Sequence, residues 1–156
     1  MTEIQVREAT STDTPALTEL YQRRYQETCY SQYCSLIENV TESQIENWIH
    51  CFRMLVVTVD GTVSGGARLD RTGDSRVKFS RLLIRGDATE PGLGTRLLEH
   101  AETLLRNEGY GSIWLVTPPD HPFLPQMYRR RGYEEVGVCP PEYRHYERVI
   151  VEKRLR

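Results

Sequence analysis

The spacing of apolar residues in the first third of the chain predicts one strand followed by two helices. Apolar and polar positions alternate over residues 4–9, as they do in a half-buried strand. Residues 10–25 carry apolar positions at helical spacing, with Pro15 placed to lie in a first helical turn. Residues 41–52 repeat the helical spacing behind a Thr/Ser cap signal. Residues 27–41 follow neither period, which indicates a loop or a broken helix.

The middle of the chain predicts three strands and a long helix. Residues 54–69 form two strand-like runs joined at Asp60-Gly61, a dipeptide typical of hairpin turns. Residues 76–85 predict a further strand near the centre of the sheet. Residues 93–107 place leucines and an alanine on one stripe, which is typical of a helix packed on a core.

The last third of the chain predicts a buried strand at 112–118, a short helix within 122–133, and two final strands at 134–138 and 148–155. No repeat or linker divides the sequence, so we expect one domain over residues 1–156. The order of strands and helices favours the α/β class, with a mixed central β-sheet flanked by about four helices.

Composition narrows the choice of partners. A chain of 156 residues is long enough to bury a core without disulfides or a metal. Its net charge of −2 argues against a nucleic-acid partner. No apolar run approaches the roughly 20 residues that cross a bilayer, and the first residues hold no apolar secretory segment. We therefore expect no membrane partner and a cytoplasmic location.

The cysteines leave one metal hypothesis open. Cys29, Cys34 and Cys51 could join His50 in a zinc site, although their spacing differs from that of the usual zinc knuckles. No close CxxC pair occurs anywhere in the sequence. Ordinary thiols are the favoured interpretation, and no metal is expected.

Two small residues stand where the helix of residues 93–107 begins. Gly92 and Gly94 flank Leu93, directly after a strand and a polar loop. The first amides of a helix lack internal partners and attract anions, so this arrangement could cradle a phosphate group. Close packing of the helix on the sheet would also favour glycine, and both explanations stay open at this point. The sequence contains neither the P-loop nor the Rossmann glycine motif.

In this arrangement the chain resembles the GNAT superfamily of N-acetyltransferases. The family's loop motif, Q/R-x-x-G-x-G/A, falls on residues 89–94, and its preceding strand motif falls on residues 82–84. The family's tyrosine before Gly-Phe or Gly-Tyr falls on Tyr128 and Gly132-Tyr133. The resemblance covers essentially the whole chain. It implies a GNAT-like fold that uses acetyl-CoA as co-substrate.

The resemblance also assigns site residues. By position, the residues expected to bind acetyl-CoA are Leu82, Leu83, Ile84, Thr89, Glu90, Pro91, Gly92, Leu93, Gly94, Thr95 and Tyr128. One of Arg129, Arg130 and Arg131 could also reach its phosphates, since a guanidinium suits phosphate geometry, and Arg131 is the one that we name. Cations at a helix C-terminus before a capping glycine are favourable in any case, so that explanation stays open. Three positions depart from the family. Thr89 replaces the usual glutamine or arginine, Pro91 offers no amide hydrogen, and His121 stands where many relatives have asparagine.

The implied chemistry is direct attack of an amine on the acetyl thioester. Amides near Leu82 would face the thioester oxygen, and Tyr128 would act as the acid for the departing sulfur, unless Tyr128 is only a core residue. The strand residues 77–80 lack the glutamate that several relatives use as a base. His121 is the base that we name, and the other candidates are Glu38, Glu42 and Asp70.

The sequence thus predicts an N-acetyltransferase whose acceptor is a small-molecule or peptide amine, in a chain that could form a homodimer. We expect the acceptor to meet residues 26–41 and 139–147, which are rich in tyrosine and carboxylates suited to a cation. One alternative is a non-catalytic GNAT-fold acetyl-CoA sensor that regulates a protein partner. Another is a purely structural domain with a tight helix junction.

Overall fold

A seven-stranded mixed sheet forms the centre of the computed structural model. Residues 2–28, 40–119, 121–122, 124–139 and 148–156 are described, without the side chains of residues 27 and 28. The sheet order is β1-β2-β3-β4-β5-β7-β6, and only the β4–β5 pair is parallel. The strands are β1 (Ile4–Glu8), β2 (Arg53–Val59), β3 (Thr62–Arg71), β4 (Arg76–Ile84), β5 (Ser112–Thr117), β6 (Glu134–Cys139) and β7 (Arg148–Arg154). The helices are α1 (Thr14–Thr28), α2 (Glu42–Cys51), α3 (Leu93–Asn107) and α4 (Leu124–Arg130), with a 3₁₀ turn at Ser11–Asp13.

The helices cover both faces of this sheet, which gives two hydrophobic cores. On one face α1 and α2 pack Tyr21 and Trp48 edge to face, with ring centroids 5.7 Å apart, beside Val56 of β2. On the other face the apolar stripe of α3, which includes Leu97 and Ala101, packs on the central strands and on α4. The apolar stripe of each helix is therefore the side that packs on the sheet.

Local signals in the sequence set several of these boundaries. Asp60 and Gly61 both have positive φ, at 49° and 83°, as a two-residue hairpin turn of type I′ requires. Thr41 accepts a hydrogen bond from the amide of Gln44, whose side chain accepts one from Thr41 in return, so a capping box begins α2.

The structure confirms the predicted class, the element order and the central position of β4. The short helix near the end is α4, and it occupies only Leu124–Arg130 of the predicted window. Most of the segment predicted as a loop or broken helix lies outside the described residues. Among those described, no helix is long and apolar enough to cross a bilayer.

A buried polar network fastens α3 to the last strands. Glu102 of α3 is 5% exposed, and its two oxygens accept hydrogen bonds from the Tyr133 hydroxyl at 2.7 Å and from Lys153 Nζ at 3.0 Å. A buried carboxylate is tolerated only when such donors satisfy it. Burial and the Glu102 hydrogen bond both raise the pKa of Tyr133, so its hydroxyl stays a donor.

We expect the Tyr133→Phe substitution to lower the free energy of unfolding by about 1–2 kcal/mol, because it leaves one oxygen of a buried carboxylate without its donor. Urea denaturation measures this change. Tyr110→Phe is the matched control, since Tyr110 is only partly buried and no hydrogen bond of its hydroxyl is found among the described residues. Equal stabilities for the two variants would contradict the role given to the network.

Candidate functional site

The parallel strands β4 and β5 separate partway along their length. They pair only at Arg76–Ser112, Val77–Ile113 and Lys78–Trp114. Residues 79–84 of β4 therefore have no partner on the β5 side, although β4 stays paired with β3 as far as Ile84. Backbone polar groups must be satisfied somewhere, so a sheet opened at its centre is a place where a ligand can bind.

A β-bulge in β4 lies at this opening. Arg81 has a φ of 57°, rare for a residue with a side chain, and the β3–β4 register shifts beside it. The buried Tyr21 hydroxyl donates a hydrogen bond to the Arg81 carbonyl and holds the bulge in place. On β3, a Cβ at Gly65 would lie 2.5 Å from Ile84 Cδ1 and 2.9 Å from the Leu83 carbonyl oxygen. Gly65 therefore makes room for β4, whereas Gly66 makes room for Leu17 and Tyr21 of α1.

A largely apolar pocket of about 320 Å³ lies between β4, α3 and α4. It contains eight of the predicted site residues, which are Leu82, Ile84, Glu90, Gly92, Leu93, Gly94, Thr95 and Tyr128. Ala88, Leu98, Leu124 and Met127 complete its lining. The bulge turns Leu82 and Ile84 toward this pocket, whereas Leu83 packs on the opposite core.

The beginning of α3 presents open amides at the rim of the pocket. Gly92 is the N-cap, with a φ of 76° and no side-chain cap, and its carbonyl accepts the amide of Arg96 at 3.0 Å. The amides of Leu93, Gly94 and Thr95 have no hydrogen-bond partner among the described residues, as expected for a first helical turn. With no acidic residue in that turn, the helix end favours an anion.

The two glycines of the loop are not explained by tight packing. A Cβ built at Gly94 would lie 3.7 Å from Leu82 Cδ2 and 4.0 Å from Ile84 Cγ1, which are ordinary van der Waals contacts. At Gly92 no described heavy atom comes within 4 Å of such a Cβ, and glycine is required there only by the positive φ. The absent side chain at Gly94 leaves space in the pocket, and it does not bring the helix closer to the sheet.

Tyr128 of α4 lines the pocket. It is 5% exposed, and its ring packs edge to face on Tyr133 with centroids 5.6 Å apart. No hydrogen bond of its hydroxyl is found among the described residues. Burial raises the pKa of Tyr128 to about 12, so the phenol stays protonated throughout the neutral range.

Other residues predicted to bind the co-substrate lie outside the pocket lining. Thr89 and Pro91 are exposed in the loop before α3. The Arg131 guanidinium makes an ion pair with Glu99 at 2.6 Å, which ties the end of α4 to α3. This contact gives Arg131 a structural role in the described chain.

The candidate bases are dispersed. His121 precedes α4, and its Nδ1 accepts the amide of Leu124 at 3.3 Å, so that nitrogen caps a helix. Asp70 accepts two hydrogen bonds of 2.7 Å from Arg68, and Glu42 borders a different groove, next to Glu46. Glu38 lies outside the described residues.

The metal hypothesis gains no support in the described part of the chain. No group of histidine, cysteine and acidic residues there could hold an ion. His50 Nε2 lies 3.1 Å from a Glu46 oxygen, and Cys51 donates to Asn47. Cys29 and Cys34 lie outside the described residues.

Sequence reasoning missed the bulge at Arg81 and the residues that support it. The available signal was the Gly65-Gly66 pair in the interior of a predicted strand, because glycine there marks a bulge or a close approach of backbones. Nothing in the local pattern indicates that Tyr21 donates to a carbonyl 60 residues away.

The sheet thus opens between β4 and β5, and an anion-favouring helix end lies beside the opening. The sequence model of the acetyltransferase (GNAT) family matches residues 14–133. The chain belongs to this family. No curated protein matches the sequence.

Solved structures with low sequence identity share the fold. The ribosomal-protein-S18-alanine N-acetyltransferase of Escherichia coli is 17% identical with a TM-score of 0.78, covering 98% of this chain and 94% of that one. The ribosomal-protein-alanine N-acetyltransferase of Brucella melitensis is 21% identical with a TM-score of 0.77, covering 96% and 99%. YncA of Salmonella typhimurium, solved with its cofactor acetyl-CoA, is 18% identical with a TM-score of 0.78, covering 98% and 94%.

The Gly94→Ala substitution distinguishes the two explanations of the glycine loop by the sign of its effect. Because a Cβ fits at this helical position, we expect alanine to raise the free energy of unfolding by about 0.4–1 kcal/mol. Gly65→Ala, where the Cβ has no room, should lower it. Thermal and urea denaturation measure both variants, and a destabilised Gly94→Ala protein would restore the tight-packing explanation.

Proposed function

We propose that this protein transfers the acetyl group of acetyl-CoA to a primary amine by direct attack of the amine on the thioester. The single observation that carries the proposal is that one apolar pocket is bordered by two features. One is the opening between β4 and β5, and the other is the first turn of α3 with its open amides. Membership of the acetyltransferase (GNAT) family and the acetyl-CoA complex of a structural neighbour support it.

The described residues fit two parts of acetyl-CoA, its diphosphate and its less polar arm. The amides of Leu93, Gly94 and Thr95 would hold its diphosphate, since a helix end without acidic side chains favours an anion. Gly94 carries no side chain that could shield these amides from a phosphate. Leu82 and Ile84 offer an apolar wall for the less polar arm of the molecule. Pro91 contributes no amide, so the first turn itself supplies the donors.

The open edge of β4 would stabilise the reaction's negative charge. Acetyl-CoA supplies a thioester carbonyl that becomes an oxyanion when the amine adds to it. Those amides of residues 79–84 that point away from β3 have no β5 partner, and the bulge at Arg81 fixes their direction before any ligand arrives. A preorganised donor of this kind contributes about 2.7–4 kcal/mol to transition-state stabilisation.

Tyr128 would donate a hydrogen bond to the departing sulfur. Burial raises the pKa of Tyr128 to about 12, above the value of about 8.5 for a thiol in water, so the phenol holds its proton firmly. The hydroxyl therefore acts by stabilising the developing negative charge on sulfur. The thiolate then takes the proton that the attacking amine nitrogen loses as it becomes an amide.

Removal of this hydroxyl tests the assignment. We expect Tyr128→Phe to lower kcat about 100-fold with little change in the KM for acetyl-CoA, because the hydrogen bond to sulfur forms as the bond breaks. Release of free thiol from acetyl-CoA, measured with a panel of amines, gives both constants. Tyr110→Phe, between α3 and β5, is the matched control and should retain the wild-type rate. An unchanged rate in Tyr128→Phe would remove the residue from catalysis.

A larger side chain at position 94 tests where the co-substrate binds. We expect Gly94→Val to weaken acetyl-CoA binding about 10-fold, a loss of about 1.4 kcal/mol, because the branched side chain would shield the first amides of α3, where the family motif accepts only glycine or alanine. Titration calorimetry measures the dissociation constant. Thr103→Val, exposed near the other end of α3, should bind as wild type does. Unchanged binding in Gly94→Val would place the diphosphate elsewhere, and wild-type binding without turnover on any amine would favour the sensor alternative.

A further inference from the structure

A second cleft opens on the other side of the separated strands. It encloses about 140 Å³ between Lys78, Ser80 and Arg81 of β4, Val116 and Pro118 at the end of β5, and Arg148 at the start of β7. The next residue of β4, Leu82, lines the apolar pocket of α3. The pocket and the cleft thus meet at one short piece of β4, where the reacting carbonyl would lie.

The described lining of this cleft carries positive charge and no negative charge. Lys78 and Arg148 form no ion pair with any described carboxylate, and Arg148 Nε is buried without a hydrogen-bond partner among the described residues. Asp70 lies opposite Lys78 in the β3–β4 register, yet both of its oxygens are bound by Arg68. A buried donor left unsatisfied is costly, and an anion bound in the cleft would satisfy it.

The environment of Lys78 shows how strongly an anion would be attracted. Its Nζ lies 5.2 Å from the centre of the Trp114 ring and is partly removed from water. Burial lowers the pKa of Lys78, and the nearby positive charge of Arg81 lowers it further. An anion placed in the cleft would offset both effects, and the Arg148 guanidinium provides the planar fork that suits a carboxylate.

We infer that the acceptor amine also carries an acidic oxygen group, which Lys78 and Arg148 bind in the β4–β5 cleft while its amine faces the pocket of Tyr128. This inference rests on the proposed acetyl transfer and names the class of its acceptor. Amino acids and other small amino carboxylates belong to this class. A simple polyamine or an uncharged amine does not.

Paired substrates that differ only in the acidic group test the inference. The common L-amino acids, β-alanine and their carboxamides are compared by thiol release from acetyl-CoA. We expect kcat/KM for the best acid to exceed that of its own amide at least 10-fold. In Lys78→Gln and in Arg148→Gln this ratio should fall toward one, mainly through the KM for the acid. Arg154→Gln removes an exposed charge from the same strand as Arg148 and should keep the wild-type ratio.

A binding measurement keeps this inference separate from the proposed function. Calorimetry of the CoA-loaded protein compares N-acetylglycine with N-acetylglycinamide, neither of which can react. Tighter binding of the acid in wild type, lost in Lys78→Gln and Arg148→Gln, supports the cleft even if no amine is acetylated. Amides that are acetylated as well as acids, or an acid preference that survives both substitutions, would overturn the inference while leaving acetyl transfer intact.

Discussion

The separation of β4 from β5 after Lys78 is the constraint on which the rest of the structure depends. A sheet that parts at its centre gives up backbone hydrogen bonds, so something else must keep the strands apart. The Tyr21 hydroxyl holds the bulge at Arg81 from one face, and Gly65 of β3 leaves room for the displaced strand beside it. The α1 core is therefore part of the site, although none of its side chains lines the α3 pocket.

The bulge also explains why the pocket beside α3 is apolar while the cleft between β4 and β5 is cationic. Side chains alternate between the faces of a strand, and one irregular residue resets that alternation. Before Arg81, the polar Lys78 and Ser80 face the α1 side; after it, the apolar Leu82 and Ile84 face α3. One strand can therefore present an apolar wall to a thioester arm and a cationic surface to an acceptor.

The strands and helices could be predicted from the sequence because the spacing of apolar residues reflects which side chains are buried. The α3 stripe, the hairpin at Asp60-Gly61 and the order of strands and helices all follow from neighbours within a few residues. The site depends on residues that are far apart in the sequence. Arg148 reaches the cleft because β7 pairs with β5, with Val149 opposite Thr117, and no local pattern specifies that pairing. The sequence also made Arg131 a candidate to bind phosphate, and only the fold shows its ion pair with Glu99.

The cationic cleft also bears on a step for which the described residues offer no clear base. An ammonium with a pKa of about 10.4 costs about 4–5 kcal/mol to deprotonate at pH 7. Lys78 is itself an ammonium in this cleft, and burial favours its neutral form. The acidic group of the acceptor would offset the positive charge of Lys78 and Arg148, so the effect left to act on the acceptor ammonium is its own desolvation, which lowers its pKa. Burial can therefore supply part of the deprotonation energy, and a water molecule can accept the proton where no carboxylate is placed to do so.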